Sequence, residues 1–204
     1  FRELGAPLNM ICSLMLDLDD AVDFPGNTAQ ARGRPLASYP FMAARATGAV
    51  SRYYVVTSSP PIKGVALQNG AHIIDPPLAA AGPNAEAQLQ LGFQFILNDL
   101  KADKETLDLL AVFFSNAPAV TSDLLQTGFD ALPGQAGLDS AVSVSPFNRW
   151  HPLSARRENA QGLLEPYAPA QGPAARGDVW FPDWGAQLLR PRCLQEPASG
   201  PPPF

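Results

Sequence analysis

The feature that most constrains this chain is residues 107–145, in which two apolar runs flank a polar loop and a helix start. Residues 107–114 (Leu-Asp-Leu-Leu-Ala-Val-Phe-Phe) lack helical spacing, which is typical of a strand buried on both faces. The run ends in residues 115–118 (Ser-Asn-Ala-Pro), and a helix start follows at residues 121–123 (Thr-Ser-Asp). Open α/β sheets form ligand crevices where such strands end. The stretch therefore predicts the centre of a mixed or parallel sheet and the base of a binding site.

Strand and helix patterns alternate over the first two thirds of the chain. The patterns predict strands at residues 10–16, 52–57, 71–74, 107–114 and 140–144, and helices at 35–47, 61–68, 84–100 and 122–132. Pro40 leaves a later start for the first helix open, at residues 39–40. This alternation predicts an α/β three-layer sandwich with a Rossmann-like mixed, mostly parallel sheet.

The alternation stops after residue 145. Residues 148–175 are rich in Pro, Gly, Ala and Arg, with one short strand candidate at 162–165, and we expect them to leave the sheet as an arm. Residues 178–181 and 185–189 predict two strands that return to it. Residues 195–204 form a Pro-rich tail.

Length and charge narrow the class of protein. A chain of 204 residues fits one domain, and a net charge of −5 argues against a nucleic-acid or membrane surface. We find no signal peptide and no apolar stretch long enough to span a bilayer, so we expect a cytoplasmic protein. Cys12 and Cys193 are too few and too far apart for a disulfide framework, which favours two reduced structural thiols.

Short segments along nearly the whole chain resemble the acylneuraminate cytidylyltransferases, the CMP-sugar synthetases of the GT-A-like nucleotidyltransferase fold. The resemblance is first recognisable at Gly33-Arg34-Pro35-Leu36, and the other pieces follow in the order of that family. The matching segments are residues 24–27, 33–36, 52–57, 70–77, 116–118, 138–144, 177–181 and 190–194. The set is more specific for the fold than for the activity.

The resemblance implies transfer of CMP from CTP to an acidic, sialic-acid-like sugar, with Mg2+, in the synthesis of surface-glycan precursors. It also implies a homodimer formed through the arm. The predicted nucleotide-binding residues are Asn27, Ser58 and Asn116, and the predicted sugar-binding residues are Arg149, Arg156 and Asp139. Arginine suits these contacts because its guanidinium matches a carboxylate or phosphate. The alternatives are plain turn residues for the two asparagines, surface arginines, and a strand cap for Asp139.

The first loop departs from that family. The family has glycines and cations for the triphosphate, whereas residues 17–23 here are Asp-Leu-Asp-Asp-Ala-Val-Asp, and Ser58 stands where an Asp is usual. The late acidic pair that holds the family's metal has no counterpart in this sequence.

Two interpretations of the acidic loop stay open. Asp17, Asp19 and Asp20 hold Mg2+ that bridges to phosphate, or the segment is a solvated acidic loop. The sequence thus predicts a cytidylyltransferase. The alternative is a catalytically degenerate member that acts as a nucleotide- or sugar-binding or protein-interaction module.

Overall fold

A computed structural model describes residues 9–18, 27–77, 84–135, 137–146, 155–167 and 178–195. Its main feature is a six-stranded sheet. The strands are β1 (Ile11–Leu16), β4 (Arg52–Val56), β5 (His72–Ile74), β6 (Leu109–Phe114), β7 (Ser140–Pro146) and β10 (Trp180–Leu189). Their order in the sheet is β5-β4-β1-β6-β10-β7. The neighbours β5, β4, β1 and β6 are parallel, and β10 is antiparallel to β6. The sheet is therefore mixed and mostly parallel, as predicted.

The sheet has an apolar core on each face because the central strands are buried on both sides. Every residue of β1 and β6 is buried. Alternate residues of β1 enter different cores: Ile11 and Met15 enter one, and Leu14 and Leu16 enter the other. Helices α1 (Ser38–Ala46), α2 (Pro60–Gln68) and α4 (Ser122–Ala131) contribute to the first core, and α3 (Ala85–Ala102) contributes to the second. This arrangement confirms the three-layer α/β sandwich.

Local sequence signals explain where the helices begin. The Asn84 side chain accepts a hydrogen bond from the Ala87 amide (2.9 Å), and the Thr121 hydroxyl accepts one from the Leu124 amide (3.2 Å). These are N-cap bonds that satisfy donors in the first turn of α3 and α4. Pro40 lies in the first turn of α1, where no intrahelical donor is needed, so the helix begins before it at Ser38.

The structure corrects the sequence-based elements at two places in the main sheet and its loops. Residues 178–181 and 185–189 were predicted as two strands, but one ten-residue strand, β10, covers most of this stretch and includes Pro182. A short hairpin of β2 (Gln30–Ala31) and β3 (Arg34–Pro35) was not predicted. Its two-residue turn has positive φ at Arg32 (49°) and Gly33 (77°), the pattern of a type I′ turn.

The chain divides into two compact units, residues 1–143 with 184–204 and residues 144–183. The second unit contains the antiparallel hairpin of β8 (Arg156–Glu158) and β9 (Leu164–Pro166), in which Arg157 Nε donates to Glu165 Oε1 at 2.7 Å. The sequence predicted one strand in this region, at residues 162–165, which overlaps β9. Leu163, Leu164 and Tyr167 are 64%, 73% and 64% exposed, so this hairpin carries an apolar surface.

The amino end of β4 is held by a charged cluster centred on Arg52. Its guanidinium donates to Asp99 (2.9 Å), Asp103 (2.6 Å) and Glu105 (2.8 Å). The buried Tyr54 also donates to Asp99, at 2.6 Å. The hydrogen bond from Tyr54 and the bonds from Arg52 lower the pKa of Asp99. The cluster ties β4 to α3 and to the loop that follows it.

The two cysteines are free thiols, as predicted from their number and spacing. Burial raises the pKa of Cys12 to about 12, so its thiol stays protonated and inert at neutral pH. No helix among the described residues is both long and apolar enough to cross a membrane.

Candidate functional site

The candidate site lies at the carboxyl ends of β1, β4 and β6, where a buried carboxylate joins three strand exits. Asp17 follows β1 and is 6% exposed. Thr57 Oγ1 donates to Asp17 Oδ2 at 2.5 Å, and Ser115 Oγ donates to Asp17 Oδ1 at 2.8 Å. Thr57 and Ser115 directly follow β4 and β6. Parallel strands bring their carboxyl ends to one edge of the sheet. This explains how Thr57 and Ser115, which are 40 and 98 positions away in the sequence, reach the Asp17 carboxylate.

A fourth segment reaches the same carboxylate through Asn27. Asn27 Nδ2 donates to Asp17 Oδ1 at 2.7 Å. The backbone of Asn27 is fixed as well, because its carbonyl accepts from the Ala37 amide (3.1 Å) just before α1. We call Asp17, Asn27, Thr57 and Ser115 the Asp17 cluster. It links the loop after β1, the start of α1 and the exits of three strands.

The main chain of Asp17 is held as firmly as its side chain. Its amide donates to the Val56 carbonyl at 3.2 Å, which continues the ladder between β1 and β4. From the other face of the sheet, Gln88 Nε2 of α3 donates to the Asp17 carbonyl at 3.2 Å. Gln88 is only 2% exposed, so this contact is shielded from water. Asp17 is thus a fixed group at the junction of both cores.

The three predicted nucleotide-binding residues lie at this edge. Ser58 and Asn116 are exposed and stand one residue beyond Thr57 and Ser115, respectively. Asn27 joins them through its bond to Asp17. Thr57 and Ser115 are not among the site residues predicted from the sequence. The available signal was that each is the first hydroxyl residue after a buried strand.

The Asp17 carboxylate alone does not make a Mg2+ site. A carboxylate has about four lone-pair positions, and three of those on Asp17 accept the hydrogen bonds described above. Among the described residues, no group of three or more His, Cys, Asp or Glu side chains is placed to hold a metal ion. Asp19 and Asp20, the other two predicted metal ligands, lie outside the described residues. One lone-pair position, on Oδ2, stays open within the described structure, so Asp17 by itself offers a cation a single oxygen.

Of the three predicted sugar-binding residues, Asp139 is the one whose position relative to the Asp17 cluster the structure describes. The Asp139 carbonyl accepts a hydrogen bond from the Arg190 amide. Arg190 follows Leu189, and Leu189 pairs with Leu110 near the amino end of β6. Asp139 therefore lies at the opposite edge of the sheet, where its carboxylate forms an ion pair with Arg192. Arg156 is exposed in the second unit, and its Nη1 donates to the Ala155 carbonyl at 3.0 Å. Arg149 lies outside the described residues.

Comparisons with known proteins support the fold but no family by sequence. No protein-family model and no curated protein matches the chain. Three similar solved structures each match at 10–14% identity. A 4-diphosphocytidyl-2C-methyl-D-erythritol synthase from Anaerococcus prevotii DSM 20548 matches at 10% identity and TM-score 0.63, over 92% of this chain and 73% of that one. A second structure of a synthase with that name matches at 11% and 0.61, over 95% and 82%. A CMP:2-keto-3-deoxy-manno-octonic acid synthetase complexed with CTP matches at 14% and 0.59, over 91% and 75%. The chain thus has the nucleotidyltransferase α/β fold of these cytidylyltransferases.

Proposed function

We propose that this chain is a cytidylyltransferase-type protein that binds CTP at the carboxyl edge of its sheet. The observation that carries the proposal is the Asp17 cluster, which gathers polar groups from three strand exits at the edge where open α/β sheets bind ligands. The shared fold supports the choice of nucleotide, since one structural neighbour is a synthetase complexed with CTP.

The proposed reaction transfers CMP to an acidic sugar of the sialic acid type, for surface-glycan precursors. A hydroxyl oxygen of the sugar attacks the α-phosphorus of CTP and loses its proton to water, the bond from that phosphorus to the oxygen it shares with the β-phosphate breaks, and pyrophosphate leaves. Such transfers depend mainly on positioning the reactants and on balancing phosphate charge. The residues here supply positioning: Asn27, Ser58 and Asn116 hold the nucleotide at the strand exits. We assign no step to a metal held by Asp17, because three of the about four lone-pair positions of its carboxylate already accept hydrogen bonds.

A second candidate function is nucleotide binding without catalysis. The observation that favours it is the acidic sequence of residues 17–23, which offers carboxylates where a bound triphosphate needs cations. Under this alternative, the chain binds CTP or a sugar and does not release pyrophosphate.

Two measurements separate these functions. Isothermal titration with CTP, with and without Mg2+, tests binding, and a coupled pyrophosphate assay with a panel of acidic sugars tests transfer. Binding together with pyrophosphate release that depends on the sugar supports the enzyme. CTP binding without pyrophosphate release for any sugar supports the binding protein. Failure of CTP, UTP, ATP and GTP to bind at millimolar concentration rejects the enzyme and rejects nucleotide binding without catalysis.

We also propose that the hairpin of β8 and β9 mediates a homodimer. Its exposed Leu163, Leu164 and Tyr167 provide an apolar surface of the kind found at protein contacts. Sedimentation velocity would show a dimer for the wild-type chain and a monomer for Leu164→Lys. Leu67→Lys is a matched control, because Leu67 is 69% exposed on α2 in the other unit. A monomeric wild-type chain would contradict this proposal.

A further inference from the structure

We propose that Asp17 is a positioning residue that turns the carboxamide oxygen of Asn27 toward the ligand. Asn27 would then accept a hydrogen bond from one donor of the nucleotide, either a ribose hydroxyl or the cytosine amino group. It would not hold the triphosphate. The inference rests on the proposed function and specifies which part of the nucleotide this residue reads.

The orientation of Asn27 follows from the charge of its neighbour. Its Nδ2 donates to Asp17 Oδ1 at 2.7 Å. A flipped carboxamide would replace this bond with a contact between its own oxygen and a carboxylate oxygen, both of which are hydrogen-bond acceptors. Charge-assisted bonds such as the observed one are stronger than bonds between neutral groups. The nitrogen of Asn27 is therefore fixed on Asp17, and the oxygen is turned away from it.

Asp17 cannot easily turn to release Asn27. Its two oxygens also accept from the hydroxyls of Thr57 and Ser115, which are each 1% exposed. If the carboxylate rotated away, these buried hydroxyls would lose their acceptor, and an unsatisfied buried donor is costly. Three bonds from different segments therefore determine the position of the carboxylate, and the carboxylate in turn determines the orientation of Asn27.

The oxygen of Asn27 is the group left to interact with a ligand. Within the part of the chain that the structure describes, Asn27 Oδ1 accepts no hydrogen bond, and the residue is half-buried. A carbonyl oxygen binds hydroxyl and amino donors and repels phosphate oxygens, which are also acceptors. Asn27 thus fits the ribose or base of a nucleotide better than its phosphates.

The test uses nucleotides that lack one donor at a time. Dissociation constants are measured by isothermal titration for CTP, 2′-deoxy-CTP, 3′-deoxy-CTP and UTP, which lacks the amino group. The expected result is that one analogue binds the wild-type chain about two- to tenfold more weakly than CTP, the effect of one hydrogen bond. The analogue that shows the loss identifies the donor.

The variants then assign that loss to Asn27 and Asp17. The ratio compared is the dissociation constant of the weaker-binding analogue divided by that of CTP. Asn27→Ala should weaken CTP binding by a similar factor and bring this ratio close to one. Asp17→Asn should lower the ratio too, because the neutral amide no longer fixes the orientation of Asn27. Asp130→Asn is the matched control and should keep the wild-type ratio, since Asp130 is exposed on α4 and its carboxylate accepts a hydrogen bond from Gln126, away from the Asp17 cluster.

The outcomes distinguish this inference from the proposed function. If wild-type protein binds all four nucleotides equally, or if Asn27→Ala keeps the wild-type ratio, the inference is wrong while CTP binding stands. If none of the four nucleotides binds, the proposed function fails and the inference fails with it. Should Asp17→Asn not fold, the Asn27→Ala ratio alone decides.

Discussion

Replacement of Asp17 by alanine should destabilise the whole sheet, although the residue lies in a loop. The change removes the acceptor of two hydroxyls, on Thr57 and Ser115, that are each 1% exposed. A buried polar group without its partner costs about 1–3 kcal/mol, so the two together predict a loss of about 2–6 kcal/mol. Asn27 is half-buried and its amide reaches water instead, so it adds little to this loss.

Urea unfolding followed by circular dichroism measures this loss of stability. At about 2–4 °C per kcal/mol for a chain of this size, the melting temperature should fall by at least about 4 °C. Asp130→Ala removes a surface carboxylate from α4 and should stay within about 0.5 kcal/mol of the wild-type chain.

A double-mutant cycle tests the reasoning behind the magnitude. Thr57→Val and Ser115→Ala should each destabilise the wild-type chain. In the Asp17→Ala background they should cost less by about 1 kcal/mol or more, because the orphaned hydroxyls are removed. An Asp17→Ala chain with wild-type stability, or additive costs in the cycle, would refute the account of Asp17 as the junction of these strands.

Three further predictions concern the packing and charges around the sheet. Tyr54→Phe removes a bond that lowers the pKa of Asp99, so it should cost about 1–2 kcal/mol at pH 7. Because the pKa of Asp99 is lower in the folded chain than its unfolded value of about 4, the charged carboxylate stabilises the fold above about pH 4. This contribution is lost as the pH falls through the folded pKa. The difference in free energy of unfolding between variant and wild type should therefore narrow below about pH 4, as measured by urea unfolding at a series of pH values. Ser13→Ala should be neutral or stabilising by up to about 1 kcal/mol, because the buried Ser13 hydroxyl has no hydrogen-bond partner in the described structure, and a clear loss of stability would contradict this. Gly92→Ala should destabilise by about 1–2 kcal/mol, since the added carbon would lie 2.6 Å from a buried leucine side chain, whereas Gly64→Ala in α2, with nothing within 4 Å, should stabilise by up to about 1 kcal/mol; equal effects on the melting temperature would refute the packing argument.

The main elements could be predicted because their patterns are local. Buried strands such as β1 and β6 are short continuous apolar runs, and the caps Asn84 and Thr121 mark the helix starts in the sequence itself. The hairpin of β2 and β3 was missed because each strand has only two residues. Strand β10 was divided in two because Pro182 is a usual strand breaker, yet the strand continues through it.

The chemistry of the candidate site was harder to predict because its partners are distant in the chain. The acidic run at residues 17–23 suggested that Asp17 holds a metal. The sequence does not show that donors from Asn27, Thr57 and Ser115 meet on that carboxylate. Asp139 was assigned to the sugar site, although it precedes its strand while Asp17, Thr57 and Ser115 follow theirs. In this sheet that difference places it at the amino edge.

Hydrogen–deuterium exchange with and without saturating CTP tests the central claim most directly, because it locates the bound nucleotide on the sheet. We predict that CTP slows exchange in peptides that contain Asn27, Ser58 and Asn116, at the carboxyl edge. Peptides that contain Glu105 and Asp139, at the amino edge, should exchange at the same rate in both conditions. Slower exchange confined to the amino edge, or no change anywhere at a CTP concentration of several millimolar, would contradict a nucleotide site at the Asp17 cluster.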